Sequence, residues 1–84
     1  MWDLKRAQSF GASLKSLRQA RQLTQEQLAY ASGLTKNQIQ LFEAGKGSGK
    51  VGNVSPANPT LASITGLSAA FEMSVSEFFA ALDM

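Results

Sequence analysis

Hydrophobic residues recur at three- and four-residue steps along much of this chain, which is the spacing of a helix with one buried face. The first of these stripes runs through Ala7, Phe10, Leu14 and Leu17, and it predicts a helix that ends near Arg21. A second stripe comprises Leu61, Ile64, Leu67, Ala70 and Phe71. No segment carries the pattern of a strand, so the sequence predicts an all-α fold.

Two capping boxes mark the starts of two short helices in the first half of the chain. Thr24 stands three residues before Gln27, and Thr35 stands three residues before Gln38. In such a box the hydroxyl accepts a hydrogen bond from a free amide of the first turn, and the glutamine side chain accepts one from the cap amide. Helices are therefore predicted over about 25–32 and 36–44. Gly33 lies at the tight corner between them, where a positive φ costs glycine nothing.

The second half of the chain begins with a glycine- and serine-rich stretch, about residues 45–58, which predicts a long flexible surface loop between helices 3 and 4. The tripeptide NPT at 58–60 then supplies residue types that start a helix, just before the second hydrophobic stripe. Ser74 and Glu77 form a third capping box, which opens a last helix. Five helices are thus predicted in a single domain over residues 1–84.

Cysteine and histidine are both absent from the 84 residues. Their absence excludes disulfides, thiolate and imidazole metal ligands, and nucleophile-base pairs that rely on histidine. We therefore expect no enzyme, no metal site and no cofactor. The longest apolar run, FFAAL at 78–82, is too short to cross a bilayer, and the N-terminus lacks the pattern of a signal peptide. The expected location is the cytoplasm, without a membrane partner.

Charge is distributed unevenly along the chain. Residues 1–50 contain eight basic and three acidic side chains, a net charge of +5, whereas residues 51–84 contain three acidic side chains and no basic one, a net charge of −3. This asymmetry favours a face that binds a polyanion, and a solvated surface of mixed sign is the alternative.

The segment EAGKGSGKVGNV, residues 43–54, has the glycines and lysines of a phosphate-binding loop. A nucleotide site of that kind needs a preceding strand and a serine or threonine after the lysine. Here the segment follows a predicted helix, and Val51 occupies the position of the hydroxyl residue. The sequence therefore argues against nucleotide binding.

The segment QEQLAYASGLTKNQIQLFEAG, residues 25–45, resembles the phage-repressor-like (Xre/lambda-repressor-like) helix-turn-helix family. The likeness extends from about Phe10 to Phe79. It includes LKSLRQARQLTQEQLA, which is similar to the family's first two helices, and PTLASITGLSAAFEMSVSEFF, which is similar to the last two. The resemblance implies a five-helix domain that binds double-stranded DNA, usually as a dimer, with its helix-turn-helix at about 25–44.

The resemblance also implies which residues contact DNA. Eight residues match the family's contact positions or lie just beyond the recognition helix: Gln25, Thr35, Lys36, Asn37, Gln40, Leu41, Lys46 and Lys50. Lys36 suits either guanine or phosphate, and Leu41 either touches a thymine methyl or packs against a neighbour. Lys46 and Lys50 either reach phosphates or belong to a flexible connector.

Three further expectations concern structure around this site. Arg18 and Glu43 match a paired arginine and glutamate that join the first and third helices, with a DNA contact as the alternative. Gln22 occupies a position where glycine often ends the first helix. A dimer interface is expected at the last helix, with burial inside one chain as the alternative for its residues Phe78, Phe79, Leu82 and Met84.

The expected function is that of a sequence-specific transcriptional regulator, a repressor, which binds a two-fold-related operator as a homodimer. An antitoxin or another protein-interaction module of a regulatory complex is the alternative, since such domains also serve in those roles.

Overall fold

The computed structural model describes residues 2–47 and 56–83, and within these ranges the chain forms five helices and no β-strand. The helices are α1 (Leu4–Ala20), α2 (Gln25–Ser32), α3 (Lys36–Ala44), α4 (Leu61–Ala70) and α5 (Val75–Ala81). The all-α prediction is confirmed, and the bounds of α2 and α3 agree with those expected from the capping pattern.

Side-chain caps start all five helices. Reciprocal boxes are formed at Thr24, Thr35 and Ser74, while Asp3 and Thr60 each accept a hydrogen bond from a first-turn amide. These bonds satisfy donors that a helix start would otherwise leave unpaired. The hydrogen bond from the Ser74 amide lowers the pKa of Glu77 below its ordinary value. Local sequence thus fixes where each helix begins.

The end of α1 shows how Gln22 fills a position where glycine often ends the first helix. This residue adopts a left-handed φ of 58°, the conformation that a glycine takes most easily, and the next amide, that of Leu23, donates to the Arg18 carbonyl at 3.1 Å. The chain therefore makes the family's turn with a glutamine.

The core is a single cluster in which all five helices take part. Its buried hydrophobic residues are Ala7, Phe10, Leu14, Leu28, Ala29, Ile39, Phe42, Ala57, Ile64, Leu67, Phe71, Phe78 and Leu82. Two aromatic contacts organise it: Phe10 meets Phe42 edge to face, and Phe71 stacks on Phe78.

The expected dimer interface at the last helix is wrong for two of its residues. Phe78 and Leu82 are 0% and 2% exposed in the single chain, because α5 packs along α4 and turns both side chains into the core. Buried side chains offer no surface to a second copy. Phe79 remains partly exposed, and Met84 lies outside the described residues.

Two glycines allow helices to cross at close range. A Cβ at Gly11 of α1 would lie 2.3 Å from the Phe42 carbonyl oxygen and 2.7 Å from that of Glu43, both on α3. A Cβ at Gly66 of α4 would lie 2.3 Å from the Ser32 carbonyl oxygen on α2. The helix-turn-helix is thus held from both sides, α3 by α1 and α2 by α4.

The two ends of the predicted loop over 45–58 are joined to each other. The Ala57 amide donates to the Gly45 carbonyl at 3.0 Å, and Lys46 forms an isolated antiparallel bridge with Pro56. Ala57 is itself 1% exposed, and its carbonyl accepts a hydrogen bond from the Trp2 indole. Residues 48–55 lie outside the described part of the chain.

Candidate nucleic-acid interface

The corner between α2 and α3 is compact because small and buried residues meet there. Gly33 adopts a φ of 76°, and the Leu34 amide donates to the Ala29 carbonyl at 3.0 Å. Leu28 and Ile39 are fully buried beneath the corner. The two helices therefore present one fixed surface.

The outward face of α3 is polar. Ile39 and Phe42 point into the core, whereas Lys36, Asn37 and Gln40 are exposed on the helix surface. Within residues 2–47 and 56–83, no side-chain hydrogen bond engages the amide of Asn37 or Gln40. As far as the described residues go, both amides are left to donate to and accept from a ligand.

Thr35 and Leu41 border this face. The Thr35 hydroxyl oxygen accepts from the Gln38 amide at 3.1 Å and remains exposed, so its proton is still available to an acceptor. Leu41 is partly exposed and lies outside the group of hydrophobic side chains that pack against the core.

A charged network joins α1, α2 and α3. Arg18 donates to Glu43 from Nε to Oε2 at 2.6 Å and from Nη2 to Oε1 at 3.1 Å, and it donates from Nη1 to the Leu23 carbonyl at 2.8 Å. The hydrogen bond to Glu43 raises the pKa of Arg18 above its ordinary value. Gln25 donates from Nε2 to the same Glu43 Oε1 at 3.0 Å. Glu43 therefore pairs with Arg18 and also orients the Gln25 amide.

A second ion pair lies at the surface. Lys36 Nζ stands 3.2 Å from Glu26 Oε1, so the first residue of α3 is tied to the first turn of α2. The two side chains border an open cleft of about 370 Å³ that Thr24 and Gln25 also line.

Two lysines follow α3, at positions 46 and 50. Lys46 is exposed directly beyond the helix, and its backbone is fixed by the bridge to Pro56. Lys50 lies outside the described residues. Lys46 thus lies directly beyond the C-terminal end of α3.

Sequence reasoning missed two contacts of this surface, Gln25 with Glu43 and Glu26 with Lys36. Each joins residues on different helices, 18 and 10 positions apart. No helical spacing relates such residues, so the pattern of the sequence held no signal for either contact.

In the described ranges, no three or more acidic side chains gather where they could hold a metal ion. No described helix is long and apolar enough to span a membrane.

Two short helices joined at a glycine corner, the second with an exposed polar face, define a helix-turn-helix domain. A family model described as a helix-turn-helix domain matches residues 9–55. The crystal structure of the restriction-modification controller protein C.AhdI from Aeromonas hydrophila is similar, with a TM-score of 0.71 and 30% sequence identity, over 89% of this chain and 98% of that chain. A search of curated proteins finds no match. The chain belongs to the phage-repressor-like helix-turn-helix family of DNA-binding regulators.

Proposed function

We propose that the chain is a sequence-specific transcriptional repressor that binds a two-fold-related operator as a homodimer. The observation that carries this proposal is the exposed face of α3, on which Asn37 and Gln40 present amides without side-chain partners among the described residues. Similarity to a restriction-modification controller protein supports a regulatory role.

The chemistry of this face suits the major groove. An asparagine or glutamine amide can pair with both hydrogen-bonding atoms of an adenine edge, and a leucine can contact a thymine methyl. Gln25, Thr35 and Lys46 carry donors that suit phosphates. Asn37, Gln40 and Leu41 are therefore assigned to bases, and the flanking residues to the DNA backbone.

Asn37→Ala and Gln40→Ala are each expected to lower operator affinity by roughly 1–3 kcal/mol, since each removes a bidentate base contact. Affinity for random DNA should change little, because that affinity comes from phosphate contacts. The operator is first selected from a pool of random duplexes, and both affinities are then measured by titration.

Gln19→Ala provides the matched control, because Gln19 carries an exposed amide on α1 and not on α3. It should bind both DNAs like the wild type. If Asn37→Ala and Gln40→Ala lower the affinities for operator and random DNA equally, neither side chain contacts a base.

Dimerisation is proposed through the part of α5 that stays accessible. Phe79 borders an apolar cleft of about 230 Å³ lined also by Trp2, Pro59 and Ile64. In a two-fold dimer the two copies of α3 are separated by twice the distance of α3 from the axis, and a chain with extents of 35 × 26 × 22 Å is large enough to hold them one DNA turn apart, about 34 Å.

Phe79→Gln is expected to shift the protein from dimer to monomer in sedimentation at micromolar concentration, because a polar side chain weakens an apolar contact. Circular dichroism establishes that the variant is folded. Tyr30→Gln is the control, since Tyr30 is 92% exposed on α2 and should leave the dimer unchanged. A wild-type monomer at high micromolar concentration that protects one unpaired half-site would contradict the dimer.

A further inference from the structure

Lys36 is the one basic residue of α2 and α3, both of which the structure describes in full, and its charge is already paired. Its ammonium lies 3.2 Å from the carboxylate of Glu26, and the two side chains are 50% and 74% exposed. The pair sits at the starts of both helices, beside Gln25, where the proposed function brings the DNA backbone.

Glu26 is also the one exposed carboxylate of these two helices. The other acid, Glu43, has a side chain that is only 4% exposed and is bound by Arg18. The surface of α2 and α3 therefore has one accessible cation and one accessible anion, and each neutralises the other.

We infer that Glu26 is a specificity-determining residue, which holds the Lys36 ammonium and so withholds it from the phosphates of random DNA. This inference rests on the DNA-binding function proposed above. An exposed ion pair is weak enough to exchange partners, so a nearby phosphate and the Glu26 carboxylate compete for the same ammonium.

The competition matters more for random DNA than for the operator. Random DNA is bound through phosphates alone, and each additional cation-phosphate contact strengthens that binding. In the operator complex, the uncharged amides of Asn37 and Gln40 set the position of α3, and Lys36 stays beside Glu26. The pair therefore widens the ratio between operator and random affinity.

Glu26→Gln is expected to raise affinity for a random duplex on the order of fivefold at 0.1 M salt, and to steepen the slope of log affinity against log salt by about 0.9. Operator affinity should rise less. Lys36→Ala alone should leave the slope on random DNA nearly unchanged, whereas Lys36→Ala added to Glu26→Gln should remove the whole increase. Titrations of the four proteins over a salt series measure this cycle.

Glu72→Gln is the matched control for net charge. Glu72 is exposed in the turn after α4, and its left-handed φ of 58° is one that Gln22 already adopts in this chain. This variant should keep the wild-type slope. Circular dichroism tests whether every variant is folded.

Two results would overturn the inference while leaving the proposed function intact. In the first, the wild type selects an operator, but Glu26→Gln binds random DNA with unchanged affinity. In the second, the changes in salt slope caused by Glu26→Gln and Lys36→Ala are additive. If neither the wild type nor Glu26→Gln binds any duplex, the proposed function fails together with the inference.

Discussion

Glu43→Ala is expected to lower the free energy of unfolding by about 3 kcal/mol, because it leaves the Arg18 guanidinium without a carboxylate where that side chain is only 11% exposed. The total free energy of unfolding of a domain of this size is roughly 5–15 kcal/mol. The thermal midpoint should therefore fall on the order of 15 °C, as followed by circular dichroism. Operator affinity should fall as well, because Gln25 loses the acceptor that orients its amide.

The exposed pair of Glu26 and Lys36 provides the internal comparison for this prediction. Double-mutant cycles on stability should give a coupling free energy below about 1 kcal/mol for the exposed pair, since water screens it. The cycle for Arg18 and Glu43 should give a clearly larger coupling. Equal and small values in the two cycles would mean that Arg18 and Glu43 behave as a surface pair.

Gly11→Ala is expected to destabilise the fold by roughly 2 kcal/mol, although alanine is the better helix former by about 1 kcal/mol. The added Cβ would stand 2.3 Å from the Phe42 carbonyl oxygen, and that atom belongs to the backbone of α3. A backbone atom cannot rotate aside, so α1 and α3 must move apart. Because α3 carries the polar face, operator affinity should fall more than random affinity.

Ser16→Ala provides the control for Gly11→Ala, because Ser16 is exposed on the same helix. It should show the helix-propensity gain without a clash and so be neutral or slightly stabilising. Urea unfolding of both variants gives the comparison. A Gly11→Ala protein more stable than the wild type would mean that α1 and α3 separate at little cost.

The positions of the helices could be predicted because local interactions set them. Thr24, Thr35 and Ser74 each cap a helix through bonds that span three residues, and the sequence shows that spacing directly. The corner at Gly33 could be predicted for the same reason, because a positive φ depends on the identity of a single residue. The family was indicated by the resemblance of residues 25–45 to phage-repressor-like helix-turn-helix domains, which the match of the family model confirms.

The candidate site was predicted in part. Hydrophobic spacing on α3 buries Ile39 and Phe42, which leaves Asn37 and Gln40 on the opposite side of a helix with 3.6 residues per turn. Exposure of these amides was therefore available from the sequence. Their contact with DNA stays a prediction that the binding measurements test.

The sequence by itself determined where the helices begin, which face of each is apolar, and the family to which the chain belongs. Tertiary structure alone decided that Phe78 and Leu82 fill the core of one chain, that Glu43 orients Gln25, and that Glu26 neutralises Lys36. The reason is physical: capping and amphipathic spacing act within a few residues, whereas burial and ion pairing depend on how separate helices are packed.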